Sequence, residues 1–169
     1  MKVRNMRVLI KKFVEEAKLP YKKHADDFCY DLYATSVEEV SPGVLRYHTG
    51  IGMQIVRDWE KFISVDSEQS WSMDFRKSPL LLSVDIRPRS SVYKTGLVLC
   101  NAEPTVDEGY TGEVQLTFYH VMKDLKPYEP GDRIAQMKIG FTVPCDFDVV
   151  GELHEKERGE YGFGSTGKN

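Results

Sequence analysis

Three polar clusters in the sequence contain the residue types that bind phosphate and activate water. The first, RPRSS (87–91), directly follows a strand-like segment. Arg89 offers a planar fork of N–H donors that matches phosphate oxygens, and Ser90 and Ser91 add hydroxyls. The alternative is an ordinary polar strand end, and this cluster alone does not decide between the two.

The other two clusters add an amide and a carboxylate. PGDRIAQ (130–136) reads as a turn that enters a strand, and Gln136 would need a hydrogen-bond partner if that strand is buried. NAEPTVDEGYTGEV (101–114) predicts a tight hairpin with a DEG turn. The carboxylate of Asp107 is suited to take a proton from water, although Asp is also common in turns for local reasons.

The C-terminal residues YGFGSTGKN (161–169) fit G-x-x-x-x-G-K, the opening of a phosphate-binding P-loop. A P-loop needs Ser or Thr after the lysine to hold Mg²⁺, and a helix that follows. Asn169 stands after the lysine, so we reject the P-loop interpretation. Small residues, the hydroxyls of Ser165 and Thr166, and the ring of Phe163 still favour contact with a polar ligand.

Composition predicts one globular, cytoplasmic domain. The chain has 169 residues, 41% hydrophobic and 29% charged, with a net charge of −3. This charge implies no general attraction to nucleic acid or to an anionic membrane. We see neither an apolar run of membrane-span length nor a signal peptide. Cys29, Cys100 and Cys145 are odd in number and widely spaced, which predicts reduced thiols. The four histidines form no zinc motif, so we expect no His/Cys metal site.

Short alternating segments favour an antiparallel sandwich or barrel. Four of them read as strands: 81–87, 113–121, 132–139 and 143–153. Apolar residues in 6–17 instead recur at helical spacing, which predicts a helix there. A second helical stripe begins at Val56 and includes Trp59 and Ile63. It extends into a polar stretch, 57–79, that looks inserted between two strands.

Taken in order, these clusters and one further segment resemble the five motifs of the trimeric dUTP diphosphatases (dUTPases). The matching segments are FCYDLYA (28–34), PRSS (88–91), PTVDEGYTGE (104–113), PGDRIAQ (130–136) and RGEYGFGSTG (158–167). The resemblance covers roughly residues 3 to 167 apart from the insertion, and five motifs in fixed order are highly specific. The chain departs from the usual motif residues at Cys29, Ser91, Pro104, Thr111 and Tyr161.

The resemblance implies a fold and an assembly. Members of this family are all-β, with a jelly-roll or β-clip barrel, and assemble as homotrimers with shared active sites. For this chain that implies a β domain over 1–157, which includes the insertion 57–79, and a mobile C-terminal lid over 158–169. It also implies a strand near 6–13, and we follow the resemblance there over the helical spacing.

The resemblance further implies that dUTP and water give dUMP and pyrophosphate. This reaction keeps uracil out of DNA and supplies dUMP for thymidylate synthesis. Asp107 would be the base, and Mg²⁺ would bridge the phosphates. Asp31 would lie in the outer shell of the metal through water, or would make only a strand-end hydrogen bond. The implied phosphate donors are Arg89, Ser90, Gln136, Arg158, Ser165 and Thr166, with Ser91 and Gly164 beside them.

Recognition of uracil and deoxyribose falls, by the same resemblance, to the hairpin and the tail. Backbone groups of Thr105 and Val106, with Asn101 nearby, would pair with uracil in a slot too small for thymine. Tyr110 would pack against the deoxyribose. The tail would cross to the site of a neighbouring subunit, where Phe163 stacks on uracil.

Two other functions remain open on the sequence. A dCTP deaminase shares this fold and much of the second motif, and the paired serines and the DEG turn lean that way. The full fifth motif argues against it. A non-catalytic, nucleotide-binding regulatory protein is the third interpretation, and retention of Asp107, Arg158 and Phe163 argues against that.

Overall fold

The chain folds almost entirely into β-strands. The structure is a computed structural model that describes residues 6–57, 60–64, 70–74, 80–152 and 154, with only the backbone for 60–64 and 70–74. Over these residues there are twelve strands, one short 3₁₀ helix (Val92–Thr95) and no α-helix. The predicted all-β fold class is confirmed. Within the same residues, no helix has the length and apolar character needed to cross a membrane.

Twelve strands form four antiparallel sheets. The strands are β1 (Arg7–Lys12), β2 (Tyr30–Tyr33), β3 (Ser36–Ser41), β4 (Val44–His48), β5 (Ile51–Val56), β6 (Glu60–Ser64), β7 (Ser70–Asp74), β8 (Leu81–Pro88), β9 (Leu97–Leu99), β10 (Thr105–Asp107), β11 (Gln115–His120) and β12 (Arg133–Thr142). One four-stranded sheet has the order β10-β8-β12-β2 and the other β3-β4-β11-β9. Strands β1 and β5 form a two-stranded sheet, as do β6 and β7.

Alternating side chains from both four-stranded sheets meet in one hydrophobic core. In β8, Leu82, Val84 and Ile86 are buried, and in β11 Leu116 and Phe118 are buried. The predicted strands over 81–87, 113–121 and 132–139 are therefore confirmed. Their period of two places every second side chain in the core, as antiparallel strands with one solvated face require.

The helix expected over 6–17 from apolar spacing is wrong. Strand β1 pairs with β5 from Arg7 opposite Val56 to Lys12 opposite Ile51. Val8 and Ile10 pack against the core, whereas Leu9 stays 46% exposed. The apolar residues at helical spacing are therefore not one buried face, and the strand implied by the resemblance is the correct one. The second helical stripe is also wrong in its described part, because Val56 ends β5 and Ile63 belongs to β6, which pairs with β7. The remaining residue of the stripe, Trp59, lies outside the described residues.

The strand expected over 143–153 does not form within the described part of that segment. Residues 143–150 have no regular secondary structure, and their backbone pairs with no strand of the described chain. Phe147 and Val149 are almost fully exposed, at 94% and 103%. The alternation of the sequence is that of a strand, but a strand also needs a neighbour to satisfy its backbone groups.

Candidate active site

Three strands bring the first, second and fourth motifs together at one end of a sheet. On β12, Gln136 lies opposite Asp31 of β2 on one side and opposite Arg87 of β8 on the other. Gln136 Nε2 donates to the backbone oxygen of Pro88 at 3.2 Å, which supplies the partner that the sequence required. This hydrogen bond fixes the end of β8 directly before Arg89.

Arg89 is held by a network of charges. Its Nε donates to Asp31 Oδ1 at 3.0 Å, and Arg133 Nη1 donates to Asp31 Oδ2 at 3.0 Å. Arg89 Nη1 also lies 3.4 Å from the backbone oxygen of Arg133. The Asp31 side chain is only 16% exposed, so its charge is compensated mainly by these two arginines. Two guanidinium groups therefore stand at the end of the sheet in fixed positions, ready for an anion.

The serines of the second motif lie in the turn after β8. Ser90 is exposed and Ser91 half-buried. The turn is closed by Val92 N, which donates to Arg89 O at 3.0 Å, and the 3₁₀ helix follows. Asp31, Arg89, Ser90, Ser91 and Gln136 thus form one cluster, which we call the Arg89 half-site.

Asp107 lies at the other edge of the same sheet. It ends the three-residue strand β10, opposite Ser83 of β8, and its side chain is exposed. Tyr110 N donates to Asp107 O at 3.0 Å and closes the turn. Pro104, at a position where the family usually has glycine, accepts from Ile86 N at 2.8 Å. The departure at Pro104 therefore leaves the pairing of this hairpin with β8 intact.

The hairpin lines a cavity of about 270 Å³. Asn101, Thr105, Val106, Asp107 and Tyr110 are among its walls. Tyr110 Oη donates to Glu113 O at 3.0 Å, and a Cβ at Gly112 would lie 2.6 Å from that hydroxyl. A glycine at 112 is thus what lets the tyrosine ring fold back over the turn. We call this group of predicted residues around the cavity the Asp107 half-site.

The two half-sites lie far apart on a single chain. Asp107 is on the edge strand β10, two strand spacings or about 10 Å from Gln136 on β12 and three spacings or about 14 Å from Asp31 on β2. Arg89 follows the adjacent strand β8, six residues or about 20 Å beyond Ser83. Asp107 is level with Ser83, whereas Asp31 and Gln136 are level with Arg87, four residues or about 13 Å further along β8. The structure therefore gathers the predicted residues into two clusters and does not bring Asp107 to Arg89.

The fifth motif is outside the described residues. Arg158, Phe163, Gly164, Ser165 and Thr166 all belong to it. Their assignments stay predictions.

The residues around Asp31 fit a magnesium ion that binds mainly through the phosphates of a bound molecule and through water. Among the described residues, no three His, Cys, Asp or Glu side chains are grouped so that they hold a metal ion. Mg²⁺ commonly keeps several waters and binds through substrate phosphates. Asp31 accepts one arginine on each oxygen, and a carboxylate has further lone pairs for a water.

Sequence reasoning missed a second acidic group in the hairpin, Glu113. Its carboxylate accepts from Gly50 N at 2.7 Å and Gln115 Nε2 at 2.9 Å, and contacts His48 Nδ1 at 2.9 Å. Burial opposes ionisation of Glu113, but the hydrogen bonds from Gln115 and His48 outweigh it and lower its pKa. The contact with Glu113 raises the pKa of His48. No local spacing indicates this pair, because its members are 65 residues apart.

Known proteins resemble this chain along most of its length. A family model described as dUTPase matches residues 77–167. The deoxyuridine 5'-triphosphate nucleotidohydrolase of Clostridium novyi is 34% identical over 166 residues, which is 96% of this chain and 99% of that protein. The protein of the same name from Clostridium tetani is 32% identical and covers 94% of this chain and 95% of its own length.

Solved structures show the same fold. The dUTPase of Staphylococcus bacteriophage 80alpha with dUPNHPP superposes with a TM-score of 0.70 at 21% identity, over 95% of this chain and 98% of that one. The dUTPase from phage phi11 of S. aureus gives a TM-score of 0.61 at 16% identity, over 89% and 99%. Family model, relatives and fold agree: the chain belongs to the dUTPase family.

Proposed function

We propose that this chain is a dUTP diphosphatase that hydrolyses dUTP to dUMP and pyrophosphate, at sites shared between the chains of a homotrimer. Family membership and the names of the relatives support the reaction. The observation that carries the shared site is the separation of the two half-sites on one sheet. None of the comparisons supports dCTP deamination or a purely regulatory role.

The chemistry divides between the half-sites. In the Asp107 half-site, the Asp107 carboxylate accepts a proton from water as the water oxygen bonds to the α-phosphorus, a role typically contributing about 10²–10⁴-fold. The bond from that phosphorus to the bridging oxygen breaks, and pyrophosphate leaves. In the Arg89 half-site, fixed cations and donors absorb charge on the phosphates. Asp107 is exposed, which suits a group that must meet both water and substrate.

A second chain must supply the missing half. The carboxylate that activates water and the donors that bind the phosphates have to act on one triphosphate. On a single chain Gln136 is about 10 Å across the sheet and about 13 Å along it from Asp107. Arg89 follows the adjacent strand β8, six residues or about 20 Å beyond the level of Asp107. We therefore place Asp107 and Tyr110 of one chain opposite Arg89 and Gln136 of another. Rotational symmetry repeats this pairing at each interface of a ring.

The exposed apolar segment 143–152 supports assembly. Phe147, Val149 and Val150 are exposed in a stretch whose sequence alternates like a strand. Pairing with a second copy would cover these side chains and satisfy the backbone. In this proposal segment 143–152 extends from its own chain onto a neighbouring chain, and residues 158–169 form the lid over that neighbour's site. There Arg158, Ser165 and Thr166 contact phosphate, with Gly164 beside them, and Phe163 stacks on uracil.

Magnesium is the cofactor in this proposal. When bound to the triphosphate, Mg²⁺ supplies positive charge to the phosphate oxygens, and Asp31 would contact it through water. The phi11 enzyme has been described with a structural Mg(II) ion. We also retain the jelly-roll description of the barrel and a cytoplasmic location. The latter is supported by three free cysteines, Cys29, Cys100 and Cys145.

One assay tests the reaction. Purified protein is incubated with dUTP and Mg²⁺, and pyrophosphate is measured, with dCTP and UTP in parallel. We expect pyrophosphate and dUMP from dUTP only, and no ammonia from dCTP. Ammonia release would identify a deaminase, and absence of both products would identify a binding protein.

A further inference from the structure

Next to the proposed base is an ion pair between Glu108, in the third motif, and Arg57, which lies outside all five motifs. Arg57, the first residue after β5, donates from both Nε and Nη2 to the carboxylate of Glu108. Its Nη2 also donates to Leu80 O at 2.7 Å. Glu108 Oε2 in turn accepts from Leu82 N at 3.1 Å. We call these four groups the Arg57–Glu108 clasp.

The clasp continues the hairpin where strand pairing stops. Strand β10 is three residues long, and its pairing with β8 ends at Asp107 opposite Ser83. The next backbone donor along β8 is Leu82 N, which is bound by the Glu108 side chain. Asp107 is therefore held on its N-terminal side by the β ladder and on its C-terminal side by the clasp.

The chemistry of the pair favours orientation over stability. A guanidinium that binds a carboxylate through two N–H groups fixes both distance and plane. Both side chains are 25% exposed, so solvent screens part of the attraction. The hydrogen bond from Arg57 lowers the pKa of Glu108, and the same bond raises the pKa of Arg57. The pair is thus ionised at neutral pH, and its geometry is retained there.

We infer that the Arg57–Glu108 clasp positions the Asp107 carboxylate for proton abstraction, with Arg57 and Glu108 as positioning residues. This rests on the proposed function, which makes Asp107 the base. Arg57 stands where the chain leaves β5, and Leu80 where it enters β8. The clasp therefore joins both ends of the predicted insertion 57–79 to the residue that follows the base. A displacement at these ends is transmitted to Asp107.

The test compares Arg57→Ala, Glu108→Ala and the double variant in the full chain, with dUTP and Mg²⁺. A displaced base affects the chemical step, so we expect each single variant to lower kcat about 10-fold or more, with KM changed less than about twofold. The double variant should be about as slow as each single one, because the two residues act as a unit. Arg57→Lys should recover part of kcat, since it keeps the charge but not the fork.

Arg46→Ala is the matched control. Arg46 of β4 also forms an ion pair with a glutamate, Glu38 of β3, and the pair lies away from the Asp107 turn. It should keep the kcat of the unmodified chain. The inference would be overturned if the kcat losses of the two single variants multiplied in the double variant. It would also be overturned if only KM changed, or if Arg57→Ala had a normal kcat.

Two further measurements distinguish three outcomes. These are a misfolded variant, a base other than Asp107, and a clasp that does not position Asp107. Melting temperature and binding of a dUTP analogue with a nitrogen bridge show whether each variant is folded. If Arg57→Ala is not, Glu108→Gln replaces it, because it keeps the shape and an acceptor for Leu82 N but removes the charge. Asp107→Asn reports on the base itself. If it is inactive while Arg57→Ala and Glu108→Gln have normal kcat, only the clasp inference fails.

Discussion

The two half-sites are built on unlike parts of the same sheet. The Arg89 half-site rests on β12 and β8, the inner strands, and its arginines are fixed by Asp31. The Asp107 half-site rests on a three-residue edge strand and leaves its carboxylate exposed. Under the proposed function, the charges that bind phosphate are thus in place before substrate arrives, which avoids reorganisation during the reaction. In the same proposal, the water-activating Asp107 depends instead on short, local supports and on a second chain to complete its surroundings.

Replacing Asp107 by Asn has the largest expected effect. The amide keeps the size of the side chain but does not take a proton, so turnover should fall by about 10²-fold or more. Binding of a non-hydrolysable dUTP analogue should survive, because the Arg89 half-site is untouched. Single-turnover rates and calorimetry measure the two quantities. Turnover close to that of the unmodified chain would remove Asp107 from the role of base.

Deletion of residues 158–169 tests whether the two half-sites are sufficient for turnover without the lid. Closure of a lid excludes water and aligns the reacting groups, so we expect turnover to fall by about 10²-fold. The described core lies upstream, so the trimer and its melting temperature should change little. Phe163→Ala should show a milder loss of the same kind. A truncated chain that hydrolyses dUTP at nearly the full rate would contradict the lid assignment.

Asp31→Asn tests whether the Arg89 half-site depends on its internal charge network. Arg89 and Arg133 would each lose a charge-assisted hydrogen bond, which is worth about 1.5–3 kcal/mol. With Arg89 less well fixed, kcat/KM should fall about 10-fold. Asp27→Asn is the control, because Asp27 caps a nearby turn by accepting from His24 N and contacts neither arginine. An unchanged kcat/KM would show that Arg89 is positioned without Asp31.

The sequence was sufficient for those elements whose structure is set locally. The alternation of Leu82, Val84 and Ile86 predicted β8. The motifs supplied the residues that the fold then gathers into two clusters. The sequence was insufficient where a distant partner decides. The helix predicted over 6–17 is replaced by pairing between β1 and β5, because Val8 and Ile10, two residues apart, pack against the core from that strand. Likewise the strand-like segment 143–153 has no neighbour within the described chain.

The ion pairs of the site, which the sequence did not predict, all join residues far apart in the chain. Arg57 and Glu108 are 51 residues apart, and Arg133 and Asp31 are 102 residues apart. No spacing rule connects such residues, because only the fold brings them together. The motifs contain most of these residues, Asp31, Glu108 and Arg133 among them, but only the fold shows which partner each of them binds.

Mixed trimers test the separation of the half-sites directly. Asp107→Asn and Arg89→Ala chains should each be inactive alone. Unfolded together and refolded as a mixture, they should regain activity at about one site in four if each site takes one half-site from each of two chains and mixing is random. The same proteins mixed without refolding are the control. No recovery would mean that each chain builds its own site.

The smallest expected effect concerns the support of the Asp107 half-site by His48 and Glu113. The folded-state pKa of His48 is raised above 6.5, so its contribution is complete below that pH and lost as pH rises through the folded value. The pKa of Glu113 is lowered from 4.5, so its contribution is present above that pH and lost in stronger acid. Both residues therefore contribute to stability between these two pH limits.

His48→Gln should lower the melting temperature more at pH 5.5 than at pH 8, at one protein concentration, by the equivalent of a few tenths to about 1 kcal/mol. His120→Gln is the control, because that ring bonds a backbone carbonyl, of Leu125, rather than a carboxylate. An equal loss at both pH values would show that His48 supports the hairpin by packing alone. A loss that is confined to low pH would show that the ion pair holds Glu113, and with it the end of the turn that carries Tyr110.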